Sequence, residues 1–343
     1  MTLRTYIISR ILLTIPMIFI LLTTVFLILR VLPGDPVLLH FEKMENPAAM
    51  AAMRAQLGLD KPLWAQYFDY VVGIFRGDLG KSMQDYSPVA QQIFSAFPAT
   101  LELAICSMII AVLLGVFLGV ESSKAYNKPK DQVIRVFGIV TYAIPVFFLG
   151  MILQLIFGVG LHWLPVGGRI SPTMEPTGLN IGNLHFSTGL FTIDSLLEGN
   201  IYKFVLTLKY LLLPSLTLGL VLCGIFIRLT RSNMLETLRL DFVTAAKARG
   251  LKESTVTYSY ALRNAFLPVL TMMGLQFAML LAGAVLTETT FSWPGLGRYL
   301  VDRINFRDYT AIQGTVVVFG IFVSIVSLAI DLLYAYLDPR IRL

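Results

Sequence analysis

Cysteine is nearly absent from this 343-residue sequence, which holds only Cys106 and Cys223, both inside apolar runs. That placement argues against a disulfide framework and suits a small apolar side chain better than a metal or redox role. Histidine is almost as scarce: His40, His162 and His185 lie far apart, without metal-ligand spacing. Charged residues make up 14% of the chain, well below the roughly 25% of ordinary soluble domains. A nucleotide-binding loop is missing too. Gly80-Lys81-Ser82 ends as a phosphate loop does, but Phe75 stands where its first glycine is required, so the triplet reads as a surface turn. No repeat or low-complexity tract is evident.

Apolar residues, by contrast, fill 56% of the chain, and mean hydropathy is +0.74. A water-soluble core cannot absorb that much, and several runs reach the roughly 20 residues that cross a bilayer. The chain reads as an all-α polytopic membrane protein with about six transmembrane helices. Candidate spans are 11–29, 99–120, 133–160, 204–227, 267–286 and 312–334, the fourth kinked or broken near Pro214. Arg4 and Arg10 precede the first, which is too long for a signal core and lacks a small-x-small cleavage site, so it is read as retained. Residues 1–36 form a tail and the first span, 37–98 an external lobe with short helices over 48–56 and 63–75, and 99–343 the membrane core. Two external loops, 161–203 and 287–311, belong to that core. The first is read as surface, with one short helix near 192–198.

Six spans put both termini and the loops after spans two and four on one side. That side carries 15 of the 27 Lys and Arg residues on short connections, as the positive-inside rule expects of the cytoplasm. The formal net charge of +6 is therefore a membrane-flank feature and points to no nucleic-acid partner. Among these loops one stretch stands out, Asp241-Phe-Val-Thr-Ala-Ala-Lys-Ala-Arg-Gly250. Asp241 is a candidate N-cap, Gly250 a candidate left-handed stop, and nothing between them breaks a helix. Ala245, Ala246 and Ala248 leave room for close approach, and Lys247 and Arg249 favour the C-terminal dipole. Read alone, the segment is either a solvated connector or a docking helix.

Thr244-Ala245-Ala246, Gly250 and the later Leu267-Pro268 resemble the signature of ABC importer permeases, Glu-Ala-Ala, three residues, Gly, then an apolar residue and Leu-Pro. Thr244 stands where the family has Glu, so no charged contact is expected there. The resemblance narrows to the dipeptide and oligopeptide importers, and to the first of their two permease subunits, on further segments. These include Leu32-Pro-Gly-Asp-Pro36, Leu57-Gly-Leu-Asp-Lys-Pro62, Gly77-Asp-Leu-Gly80, Ala99-Thr-Leu-Glu-Leu103, Ala261-Leu-Arg-Asn-Ala265, Phe291-Ser-Trp-Pro-Gly-Leu-Gly-Arg298 and Asp338-Pro-Arg-Ile-Arg342.

The resemblance implies a type I importer permease fold in a prokaryotic inner membrane, with cytoplasmic termini. It also implies a second homologous permease, two ATPase subunits, an external substrate-binding protein and a peptide substrate. ATP and Mg would be bound by the ATPases, leaving no catalytic residue, metal or cofactor in this chain. Asp241, Thr244, Ala245, Ala246, Lys247, Arg249 and Gly250 become the expected ATPase-docking set, and Ala246→Glu is expected to uncouple ATP hydrolysis from uptake without preventing insertion. Similar permeases serve nickel chelates and oligosaccharides, which stay open as cargo. A secondary transporter or channel would instead need midplane ionisable residues and a pseudo-repeat.

Phe291, Trp293, Pro294 and Arg298 carry two readings, an interfacial aromatic anchor, or an outer gate or binding-protein contact. Glu102, Glu288 and Asp331 fall near span boundaries and are expected to snorkel, cap or pack rather than relay protons. Met108, Met151, Met272, Met273 and Met279 are expected to pack.

Overall fold

The computed structural model describes residues 3–31, 47–56, 58–181 and 184–337. The segments 32–36 and 338–342, Leu57 and His40 lie outside them, as does the side chain of Asp331. Apolar runs without exposed polar backbone become long helices, because hydrocarbon offers backbone groups no other partner. In order they are α1 (Leu3–Val31), α2 (Pro47–Gln56), α3 (Leu63–Phe75), α4 (Val89–Lys124), α5 (Pro129–Ala143), α6 (Val146–Leu153), α7 (Phe191–Leu197), α8 (Ile201–Thr237), α9 (Asp241–Ala248), α10 (Leu262–Gly283), α11 (Val285–Thr290), α12 (Leu296–Asn305) and α13 (Tyr309–Leu337). A π-helical turn, Gln154–Gly160, extends α6, and another, Thr255–Ala261, leads into α10.

Among the described residues five helical stretches are long and apolar enough to span a membrane, and the α5–α6 pair makes a sixth if counted as one broken span. That span, expected as one run over 133–160, bends by 103° between Ala143 and Val146. Pro145 is the cause: the residue before a proline is driven from the helical region, and Ile144 accordingly sits at φ −71°, ψ 129°. At Pro214, where a kink or a break was expected, there is no break. α8 runs through it unbroken from Ile201 to Thr237, with Leu213 and Pro214 buried among neighbouring helices. The boundary drawn at residue 98 also dissolves, since α4 starts at Val89 and continues through Pro98.

The bundle is built on α4 against α8, with α5, α10 and α13 around them. Small residues allow the approach, as is usual between membrane helices. A Cβ at Gly224 would strike the Gly138 carbonyl, and one at Gly219 would come within 2.7 Å of Ile110. α1 lies on α13 through Leu22, Val25 and Val317, and Met108, Met272 and Met273 pack in the central apolar cluster. The only strands among the described residues form a short antiparallel hairpin, β1 (Leu179–Ile181) with β2 (Leu184–Phe186), in the loop before α7.

Candidate functional site

Two polar constellations close the ends of this bundle. At one end lies α9. Its cap is Leu240 (φ −74°, ψ 149°) with no side-chain hydrogen bond, so Asp241 is the first helical residue and not the expected N-cap; its charge still favours the first turn. The stop is where glycine was expected. Gly250 has φ +74°, its N–H donates to the Lys247 carbonyl at 2.9 Å, and a Cβ there would meet nothing within 4 Å.

The faces of α9 are sharply divided. Val243 and Ala246 are buried in an apolar cluster with Val120 of α4, Met234 of α8, Val256 and Ala261 of the π turn, and Ala265 of α10. Asp241, Thr244, Ala245, Lys247, Arg249 and Gly250 are exposed. Ala246 thus belongs to the seat that holds α9, and the open face is carried by its neighbours. Close by, Asp131 at the start of α5 accepts from Arg231 Nε at 2.7 Å and Nη2 at 2.8 Å, and from Ser122 Oγ at 2.5 Å, tying α4, α5 and α8 together.

At the opposite end, Glu102, Glu288 and Asp308 are almost completely buried, and each receives a backbone N–H from a helix N-terminus. Glu102 of α4 accepts from Thr192 N at 2.7 Å, in the first turn of α7. Glu288 of α11 accepts from Arg298 N at 3.0 Å in the first turn of α12, and from Thr100 Oγ1 at 2.6 Å. Asp308 accepts from Ala311 N at 3.1 Å at the start of α13, and from Ser82 Oγ at 2.6 Å. Unpaired helix-terminal N–H groups buried beside a carboxylate satisfy both partners. Burial pushes the Glu288 carboxyl above the usual carboxylate range, while its hydrogen bonds pull the other way.

Glu102 also meets Arg169, whose Nε and Nη2 donate to Oε2 at 3.0 and 2.7 Å. The guanidinium lies 3.6 Å from the Phe191 ring centroid and 5.9 Å from that of Trp293. The loop over 161–203 is therefore no mere surface connection: Arg169 and Asp194 are buried in it, and it is pinned to a membrane helix. Nothing local in the sequence marked Arg169, because its partner lies 67 residues earlier.

The aromatic segment joins the same latch. Trp293 is fully buried and donates from Nε1 to the Ala99 carbonyl at 2.9 Å, and Phe291 is buried against Gly150 and Gly167. Pro294 is exposed, and Arg298 is half-buried, donating to the Ser292 carbonyl at 2.7 Å. The Gly80 turn packs rather than floats, its Cβ position lying 2.7 Å from Thr310.

These features define a polytopic membrane bundle of five or six spans, with a short helix keyed across span ends at one end and a buried polar latch at the other. A family profile described as "Binding-protein-dependent transport system inner membrane component" matches residues 111–343, and its N-terminal companion matches 3–104. The chain belongs to this family, as a membrane-embedded permease subunit. The Dipeptide transport system permease protein DppB of Alkalihalophilus pseudofirmus is 39% identical over 98% of this chain and 99% of its own length. DppB of Escherichia coli K12 is also 39% identical, over 98% of each chain. The Glutathione transport system permease protein GsiC of Salmonella typhi is 37% identical, again over 98% of each.

Proposed function

We propose that this chain is one of two homologous permease subunits of an ATP-driven importer that moves dipeptides or oligopeptides inward by alternating access. The dipeptide and glutathione systems to which its relatives belong support that cargo. ATP and Mg are held by two ATPase subunits, and an external binding protein delivers the peptide. The α9 end faces the cytoplasm, in keeping with its excess of Lys and Arg.

The observation that carries the reading is the seating of α9. Val243 and Ala246 key it to the ends of α4, α8 and α10, while Thr244, Ala245 and Lys247 stay open. A subunit gripping the open face cannot shift α9 without shifting three spans, because close-packed interfaces move as blocks. ATP-driven approach of the ATPases would thereby open the bundle outward, and hydrolysis would reset it.

Gentle purification of the complex tests the assembly, with the second permease and two ATPases expected to co-purify. Ala245→Glu puts a charge on the open face without touching the buried seat. Its complex is expected to lose the ATPases and peptide uptake at normal permease abundance; full retention of both rejects docking at α9. Uptake of a labelled dipeptide by the reconstituted complex tests the cargo separately.

A further inference from the structure

Where the end of α1 meets α3 and the start of α13, a cavity of about 500 Å3 opens. That size is in the range of small-molecule sites. Eight buried side-chain polar atoms among the described residues lack a hydrogen-bond partner, and four belong to this cavity's lining: Arg30 Nε, Gln66 Oε1, Tyr70 Oη and Gln313 Nε2. Tyr70 and Gln313 face each other across it, and native proteins leave few such groups, so their gathering around one space, with Arg30 Nε and Gln66 Oε1 unanswered, points to a missing partner rather than to scattered packing faults.

Arg30 sharpens the point. Among the described residues it has no carboxylate partner, although Asp69 and Asp78 line the same cavity. Asp69 is taken by Lys61 at 2.6 Å, and Asp78 accepts the Gly80 N–H at 2.9 Å. Water would satisfy the amides and the hydroxyl, and the C-terminus of α1 offsets part of the guanidinium charge. Neither supplies a full counter-charge to a guanidinium whose inner nitrogen is out of solvent.

We propose that this cavity is a binding site for a small zwitterion, with its carboxylate or phosphate on Arg30 and Gln313 and its ammonium towards Gln66 Oε1 and the Asp78 oxygen that Gly80 does not hold. Two sources share that chemistry, a free short peptide and the headgroup of an aminophospholipid. The site lies at the opposite end of the bundle from α9 and does not depend on the docking reading.

The test uses the permease–ATPase complex, purified without the binding protein and stripped of lipid. Glycylglycine and dihexanoyl phosphatidylethanolamine are titrated in turn, with binding read by calorimetry. At least one probe is expected to bind saturably to the wild type, and at least tenfold more weakly to Arg30→Gln and Gln313→Glu. The second variant guards against a folding artefact, because it lends the cavity a resident carboxylate and is expected to unfold no lower than wild type. A lost glycylglycine signal assigns the source to free peptide, and a lost lipid signal to the bilayer. The proposal is overturned if neither probe binds, or if both variants bind as wild type does.

Discussion

On the Glu288 carboxylate converge the Thr100 hydroxyl and the N–H groups of Gly297 and Arg298, in a place solvent does not reach. Its acidity is set by burial first, which raises the folded value above the ordinary 4.5. Between those two values the folded protein binds more protons than the unfolded one, so stability falls as pH rises through that window. Glu288→Gln cannot titrate. Wild-type thermal stability should therefore gain on Glu288→Gln as the complex is taken from neutral pH towards about pH 5, read as the difference between their unfolding midpoints. A constant difference would show that the carboxylate does not titrate differently in the folded state. Gly295 makes the neighbouring test, because a Cβ there would collide with the same carboxylate. Gly295→Ala should cost about 1–3 kcal/mol, the usual effect of overpacking, read as a lowered unfolding midpoint.

Among elements, the π turn Thr255–Ala261 stands between the proposed docking helix and α10, with Val256 and Ala261 in the seat of α9. A π turn carries one residue more than an α turn, and removing it turns everything before it by about 100° relative to the helix that follows. Ser259 is exposed, so its deletion removes no buried side chain. The deletion variant should insert and accumulate, yet lose at least tenfold in uptake; uptake at wild-type level would show that the register of α9 on α10 is immaterial. The spans were readable from the sequence because a bilayer fixes helix length, and the stop at Gly250 because only glycine takes φ +74° without strain. The bend at Pro145 against the continuity at Pro214 was not, since the same residue breaks a helix or is tolerated according to what packs on it. Nor was the inward face of Ala246, because an alanine suits a docking surface and a buried seat alike.

Across the whole molecule, α4 links the two ends. Thr100 and Glu102 hold the polar latch, and Val120 sits in the cluster that seats α9. The intervening 20 residues of helix make a rod of about 30 Å, packed along its length on α8 by Gly115 and Gly119. A rod so packed transmits displacement only while both ends are held, and the hold at the latch end includes a buried ion pair. Removing one partner from such a pair leaves the other charge uncompensated, at about 3–5 kcal/mol. Glu102→Gln should thus release Arg169 and the loop it anchors, with no change at the α9 face. If the latch and α9 are two ends of one transmission, the variant complex should keep its ATPases and hydrolyse ATP, yet import less peptide per ATP. Measured together in proteoliposomes, the two rates separate this from simple destabilisation, which lowers both in proportion. An unchanged ratio of peptide to ATP would confine the latch to holding the Arg169 loop in place.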